Sequence, residues 1–275
     1  MKKTLIELGP FSIHLFGVFV ALGVLVGLYV AQKEAKRKGL DADKIFNLVI
    51  ASIIAAIVGG RIYYILVFNP GHYLNNLHEI FRISAGGLSI QGGLIGGILF
   101  GVVYSKYQQL SFWKVADTVA PAIILGQAVA RVGCDVFGVV MEQPRFWGVM
   151  INNQVLHPAQ IYESLLNYIL FLGLWNYRDK TKYHGQLFIF YLIGFSFNRA
   201  IVEFFRTNPY VIGQFTVAHV TSIFIILVSV VIGFYLKDKS PMLEKNSISN
   251  LEKTKDNLII IGLMILSVLT YYLIY

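Results

Sequence analysis

The amino-acid sequence predicts an all-α polytopic membrane protein, a bundle of seven membrane helices with an additional C-terminal transmembrane helix. Three observations carry this. Hydrophobic residues make up 56% of the chain and charged residues 14%, with a mean hydropathy of +0.64, a balance that a water-exposed surface does not tolerate. Eight apolar runs, each near the about 17–25 residues needed to cross hydrocarbon, fall at 12–32, 45–68, 88–105, 116–132, 159–176, 186–205, 215–236 and 257–275. Lys and Arg are spread unevenly between alternate loops, as membrane proteins require.

The first run ends in a basic cluster, Lys33, Lys36, Arg37 and Lys38. It is too long for a signal peptide and no small-residue cleavage site follows it. The second run contains Arg61, preceded by the pair Gly59 and Gly60, which permits close helix approach. The third lies within SAGGLSIQGGLIGGILFG, residues 84–101. Its glycines strip side-chain bulk from one side and suit either helix packing or an acyl chain. Asp117, Gln127, Gln160 and Glu163 interrupt the fourth and fifth runs, so a partly re-entrant path is open to them. The sixth contains Arg199 and Glu203, and the seventh follows GQFTVAHV. Residues 1–236 thus form a membrane-embedded body. Residues 237–256 have the composition of a polar cytoplasmic linker, and 257–275 read as an added anchoring helix.

Loops after the first, third, fifth and seventh runs hold fifteen Lys and Arg, against six on the other side. The positive-inside rule puts the N-terminus and the loop after Arg131 on the outer face. Lys2 and Lys3 sit mildly against that. The net charge of +8 therefore belongs mainly to loops that face anionic lipid, and no basic and aromatic array suggests nucleic acid. The single Cys134 excludes an internal disulfide and a multi-cysteine metal site.

Arg131 stands alone in the uncharged stretch APAIILGQAVARVG at a membrane border. A guanidinium there is costly without a partner, and its fork of donors suits a phosphate. Arg199 and Glu203 are four residues apart, so on a helix they share a face and can pair, with Arg206 following. Arg61 is either a headgroup contact or a packing arginine that reaches the interface. Gln91 is a neutral amide between Ile90 and Gly92, able to hydrogen-bond a ligand. In HPAQIYES, residues 157–164, Pro158 fits a helix start. His157, Gln160 and Glu163 then lie within about a turn, as a hydrogen-bond cluster; the mixture is a poor match for zinc.

Four segments in order, GGLSIQGGLIGG, DTVAPAIILGQAVARVG, HPAQIYES and FNRAIVEFFR followed by GQFTVAHVTSI, resemble the prolipoprotein diacylglyceryl transferase family over residues 10–236. The resemblance implies an inner-membrane enzyme that moves a diacylglyceryl group from phosphatidylglycerol to the thiol of a prolipoprotein lipobox cysteine, with no cofactor. By the same resemblance Arg131 and Arg199 are the phospholipid-binding and catalytic arginines. Asp117 and Glu203 match acidic positions that support this site. Read from the residues themselves, Arg61, Gln91, Gly133 and His157 are further substrate-binding candidates.

The chain also departs from the family pattern. Cys134 and Asp135 stand where Asn and Phe are usual after the signature arginine and glycine, and Val139 where an acid is expected. Gln91 replaces a histidine, and Phe16 a tyrosine. With that histidine missing, His14, His157 and His219 are the candidate bases. A cationic clamp also raises the ionised fraction of a thiol, whose free pKa is about 8.5. Two further readings stay open, a non-catalytic lipid-binding paralogue and a secondary transporter of a small anion.

Overall fold

The computed structural model describes residues 4–8, 11–68, 70–82, 86–240, 243 and 249–275. Lys2, Lys3, Ser84, Ala85 and the middle of the expected linker, residues 241, 242 and 244–248, lie outside these. The elements run β1 (Thr4–Leu8), β2 (Phe11–His14), α1 (Leu15–Arg37), α2 (Ala42–Phe68), α3 (Pro70–Asn75), a 3-10 turn (Leu77–Phe81), α4 (Ile90–Tyr107), α5 (Phe112–Val132), β3 (Val149–Ile151), β4 (Gln154–Leu156), α6 (Ala159–Tyr177), α7 (Gln186–Glu203), β5 (Tyr210–Ile212), β6 (Phe215–Thr216), α8 (Val217–Lys239) and α9 (Asn250–Ile274).

Every apolar run is occupied by one long helix. By length and apolarity α1, α2, α5, α8 and α9 qualify as membrane spans. Helices α4, α6 and α7, of 18, 19 and 18 residues, are shorter and carry more glycine or polar side chains. The fourth and fifth runs are continuous helices, α5 carrying Pro121 in its interior. The first run begins later than its hydropathy suggests, because Phe11–His14 pairs with Thr4–Leu8 as an antiparallel hairpin before the helix starts at Leu15. Two more hairpins fill loops. At β3–β4 the turn residues Asn152 and Asn153 take φ of 50° and 62°, the left-handed pair that a two-residue hairpin needs and that Asn tolerates.

The chain forms two compact units, Met1–Val30 with Ala116–Tyr275, and Ala31–Val115. In the second, α2 and α4 cross on glycine. A Cβ on Gly59 would lie 2.6 Å from the Gly92 carbonyl oxygen, and one on Gly96 2.5 Å from that of Ala55. Helix packing is thus the role the structure gives these glycines.

In the first unit the same device joins α1 to α5, since a Cβ on Gly23 would lie 2.5 Å from the Gly126 carbonyl oxygen. Helix α9 runs antiparallel along α6. Asn176 and Asn257 exchange amide hydrogen bonds at 3.0 and 3.1 Å, Trp175 Nε1 donates to Asp256 at 2.9 Å, and the Tyr168 and Ser267 hydroxyls meet at 2.8 Å. At the same end Lys253 pairs with Asp179.

Candidate functional site

Arg131 occupies the last turn of α5. Its Nη2 lies 2.9 Å from Glu163 Oε1, one turn into α6, and its Nη1 approaches Cys134 Sγ at 3.7 Å. The Glu163 side chain is 2% exposed and that of Arg131 31%. The carboxylate is therefore sealed in while the guanidinium keeps an open side. Gly133 is required just beyond: a Cβ there would meet the Phe19 ring of α1, with Cγ at 2.9 Å.

The second group gathers on Glu203, at the end of α7 and 0% exposed. Arg199 Nη2 lies 2.8 Å from its Oε2, as the four-residue spacing predicts, and Arg206 Nε 3.7 Å from the same oxygen. Oε1 accepts from Asn208 Nδ2 at 2.8 Å and from Thr216 Oγ1 at 2.7 Å. Arg199 Nη1 is buried with no hydrogen-bond partner among the described residues. Thr216 also forms a capping box with His219 at the start of α8. Arg206 lies in the loop after α7. Burial first, then the charges of Arg199 and Arg131, holds its pKa below the ordinary arginine value. The two clusters thus share one electrostatic field. Three guanidinium groups face two carboxylates, which leaves one positive charge over, the condition for accepting an anion.

His157 sits on the loop framework beside this field. Its carbonyl accepts from Gly138 N at 2.8 Å, its own N–H donates to Val139 O at 3.0 Å, and Val139 N donates to Phe205 O at 2.9 Å. The ring contacts the Tyr162 hydroxyl at 3.2 Å through Nδ1 and packs on Phe205, and burial lowers its pKa. The expected cluster of His157, Gln160 and Glu163 does not form. Glu163 turns to Arg131, and both amide atoms of Gln160 are buried without a partner among the described residues.

Three residues expected at the site have other surroundings. Asp117 lies 14 residues before Arg131 on α5, about 21 Å of helix away. Its carboxylate accepts from Gly185 N at 2.7 Å and Phe188 N at 2.8 Å, so it caps the start of α7. Arg61 is spent on backbone. Nε donates to Ile80 O at 2.9 Å, Nη1 to Gly86 O and Gly87 O at 2.9 Å each, and Nη2 to Glu79 O at 2.5 Å, with the Tyr73 ring 5.0 Å away. That is the packing alternative. Gln91 is exposed in the first turn of α4 and its Oε1 accepts from Ser89 Oγ at 2.6 Å.

Sequence reasoning missed the pairing of Glu163 with Arg131, and Asn208 and Thr216 as partners of Glu203. A carboxylate 32 residues away from its arginine leaves no spacing signal. The tyrosines of α9 were missed as well, because an apolar helix with no internal charge looks the same whether it faces lipid or protein.

The model of the family described as prolipoprotein diacylglyceryl transferase matches residues 3–235. The phosphatidylglycerol–prolipoprotein diacylglyceryl transferase of Clostridioides difficile is 35% identical over 253 residues, covering 90% of this chain and 99% of that protein. Proteins of the same name from Bacillus mycoides and Bacillus cereus are each 36% identical over 245 residues, covering 84% of this chain and 90% of theirs. A match across nearly all of the helical body, at this identity and with the relatives covered almost end to end, places the chain in the prolipoprotein diacylglyceryl transferase family.

Proposed function

We propose that the Arg131 and Arg199 clusters form the donor site of a phosphatidylglycerol–prolipoprotein diacylglyceryl transferase. The chain is a multi-pass membrane enzyme, and it transfers a diacylglyceryl group from phosphatidylglycerol to prolipoproteins, the first step of lipoprotein maturation. The observation that carries the site assignment is the surplus of positive charge in a field of three arginines, with Arg131 open on one side and Arg199 Nη1 unpartnered.

The chemistry follows from that field. The acceptor is the thiol of the lipobox cysteine in the prolipoprotein signal peptide. Its sulfur attacks the glycerol carbon that bears the phosphate, an S–C bond forms, and the C–O bond to phosphate breaks. Glycerol phosphate leaves, and the thiol proton passes to solvent or to the departing phosphate. Negative charge grows on that phosphate, where Arg131 and Arg199 stabilise it in a setting that water reaches poorly. The same charge favours the thiolate. Glu163 and Glu203 hold the two guanidinium planes, and Arg206 adds to the field. The excess of Lys and Arg on alternate loops supports a bacterial cytoplasmic membrane setting with this site and the N-terminus on the outer face.

The test uses purified protein in detergent with phosphatidylglycerol and a lipobox peptide. Wild type lipidates the peptide, and Arg131→Ala lowers kcat by about 10²–10³, the scale of one lost charge-stabilising contact. Equal rates for the two proteins would sink the assignment.

A further inference from the structure

Helix α9 lies beyond residues 3–235, the part the family model matches. It does more than cross the membrane. Tyr271, fully buried, packs in one apolar cluster with Val132, Val149 and Ile161. Val132 is the residue after Arg131, and Ile161 lies two before Glu163. One apolar cluster therefore joins the Tyr271 ring to side chains from both segments that carry the Arg131 and Glu163 pair. The next residue, Tyr272, donates its hydroxyl to Trp147 O at 2.7 Å. One turn on from Tyr271, Tyr275 donates to Cys134 O at 3.5 Å and sets its ring edge-on to Phe137, with centroids 5.2 Å apart. Cys134 itself touches Arg131.

We propose that the last turn of α9 is a positioning element of the transfer site, its three tyrosines bracing the end of α5 and the start of α6 so that Arg131 stays seated on Glu163. The inference rests on the donor-site reading above. The pair spans two helices with no covalent tie near it, so the gap between those helix ends sets its geometry. The Tyr271 ring shares the apolar cluster of Val132 and Ile161 at those helix ends, while the hydroxyls of Tyr272 and Tyr275 fasten the connecting segment. The bond between Tyr168 and Ser267, one turn before Tyr271, sets the level at which that last turn arrives. Rigid support of this kind matters because a guanidinium displaced by an ångström loses much of its value to a transition state.

The experiment compares full-length wild type with the pairs Tyr272→Ala/Tyr275→Ala and Tyr272→Phe/Tyr275→Phe, and with Asn257→Ala, which loosens only the far end of α9. It reads kcat, peptide KM, melting temperature and the rate at which a maleimide alkylates Cys134. The alanine pair is expected to lower kcat about tenfold, the scale of two ordinary hydrogen bonds, with peptide KM within about twofold and Cys134 alkylated several-fold faster. The phenylalanine pair keeps the rings but loses the same two hydroxyl bonds, so kcat should fall nearly as far while Cys134 is less exposed to alkylation. Asn257→Ala should lower the melting temperature and leave kcat unchanged. Bracing is overturned if both tyrosine pairs match wild type in kcat and in Cys134 alkylation, or if Asn257→Ala loses as much kcat as they do. A wild type that transfers nothing, with Cys134 still exposed by the alanine pair, sinks the donor-site reading while the brace stands.

Discussion

Arg61, inside the second apolar run, and Arg131, at the border of the fourth, were both open to a headgroup role, and their hydrogen bonds tell them apart. Arg61 gives four donor contacts to four carbonyl oxygens between Glu79 and Gly87. Arg131 has one carboxylate, one thiol and an open side. Arg61→Ala should therefore cost stability, about 2–4 kcal/mol for carbonyl groups left without donors, seen as a lowered melting temperature with kcat of the folded fraction unchanged. His157 offers a pH test. Burial lowers its pKa from the ordinary 6.5, so the folded state favours the neutral ring. Its contribution is intact above 6.5 and is lost as pH falls from there through the lower folded value. Melting temperature should thus drop more for wild type than for His157→Phe between pH 7.5 and 5.5. Among residues, the Arg199 and Glu203 pair was legible because four-residue spacing on a helix forces proximity. The Arg131 and Glu163 pair was not, since it depends on how two helices dock.

At the scale of elements, hydropathy located all eight long helices, because a membrane demands continuous apolar length. The hairpins escaped it. Strands of two to five residues carry too little pattern, and turn residues such as Asn152, Asn153 and Gly213 were the signal the sequence offered. Helix α9 was located by sequence but not understood by it, for burial against α6 and exposure to lipid select the same residues. Glycines separate by what a methyl group would meet. Gly23→Ala would press on the Gly126 carbonyl oxygen at 2.5 Å and should cost about 1–3 kcal/mol in thermal unfolding. In α9, Gly262 faces nothing within 4 Å. There Gly262→Ala should be neutral or stabilising by up to about 1 kcal/mol.

For the whole molecule, loop charge gives a prediction that labelling can check. Phe146, 94% exposed in the connection between α5 and α6, belongs to the side proposed as external, and Lys38 to the basic internal side. In intact cells a membrane-impermeant maleimide should modify Phe146→Cys, and should reach Lys38→Cys only after permeabilisation. The native Cys134 is buried and adds little background. The reverse pattern would invert the orientation. Within the larger unit, one carboxylate sets the depth of the chemistry. Asp117 binds the start of α7 to the first half of α5. Arg131 follows Asp117 by 14 residues, and Arg199 follows Gly185 by 14, so both arginines stand about 21 Å of helix rise from the same mark. The two helices work as rulers zeroed together. A single residue inserted in either one between mark and arginine would move that guanidinium about 1.5 Å along its axis and swing it about 100° away.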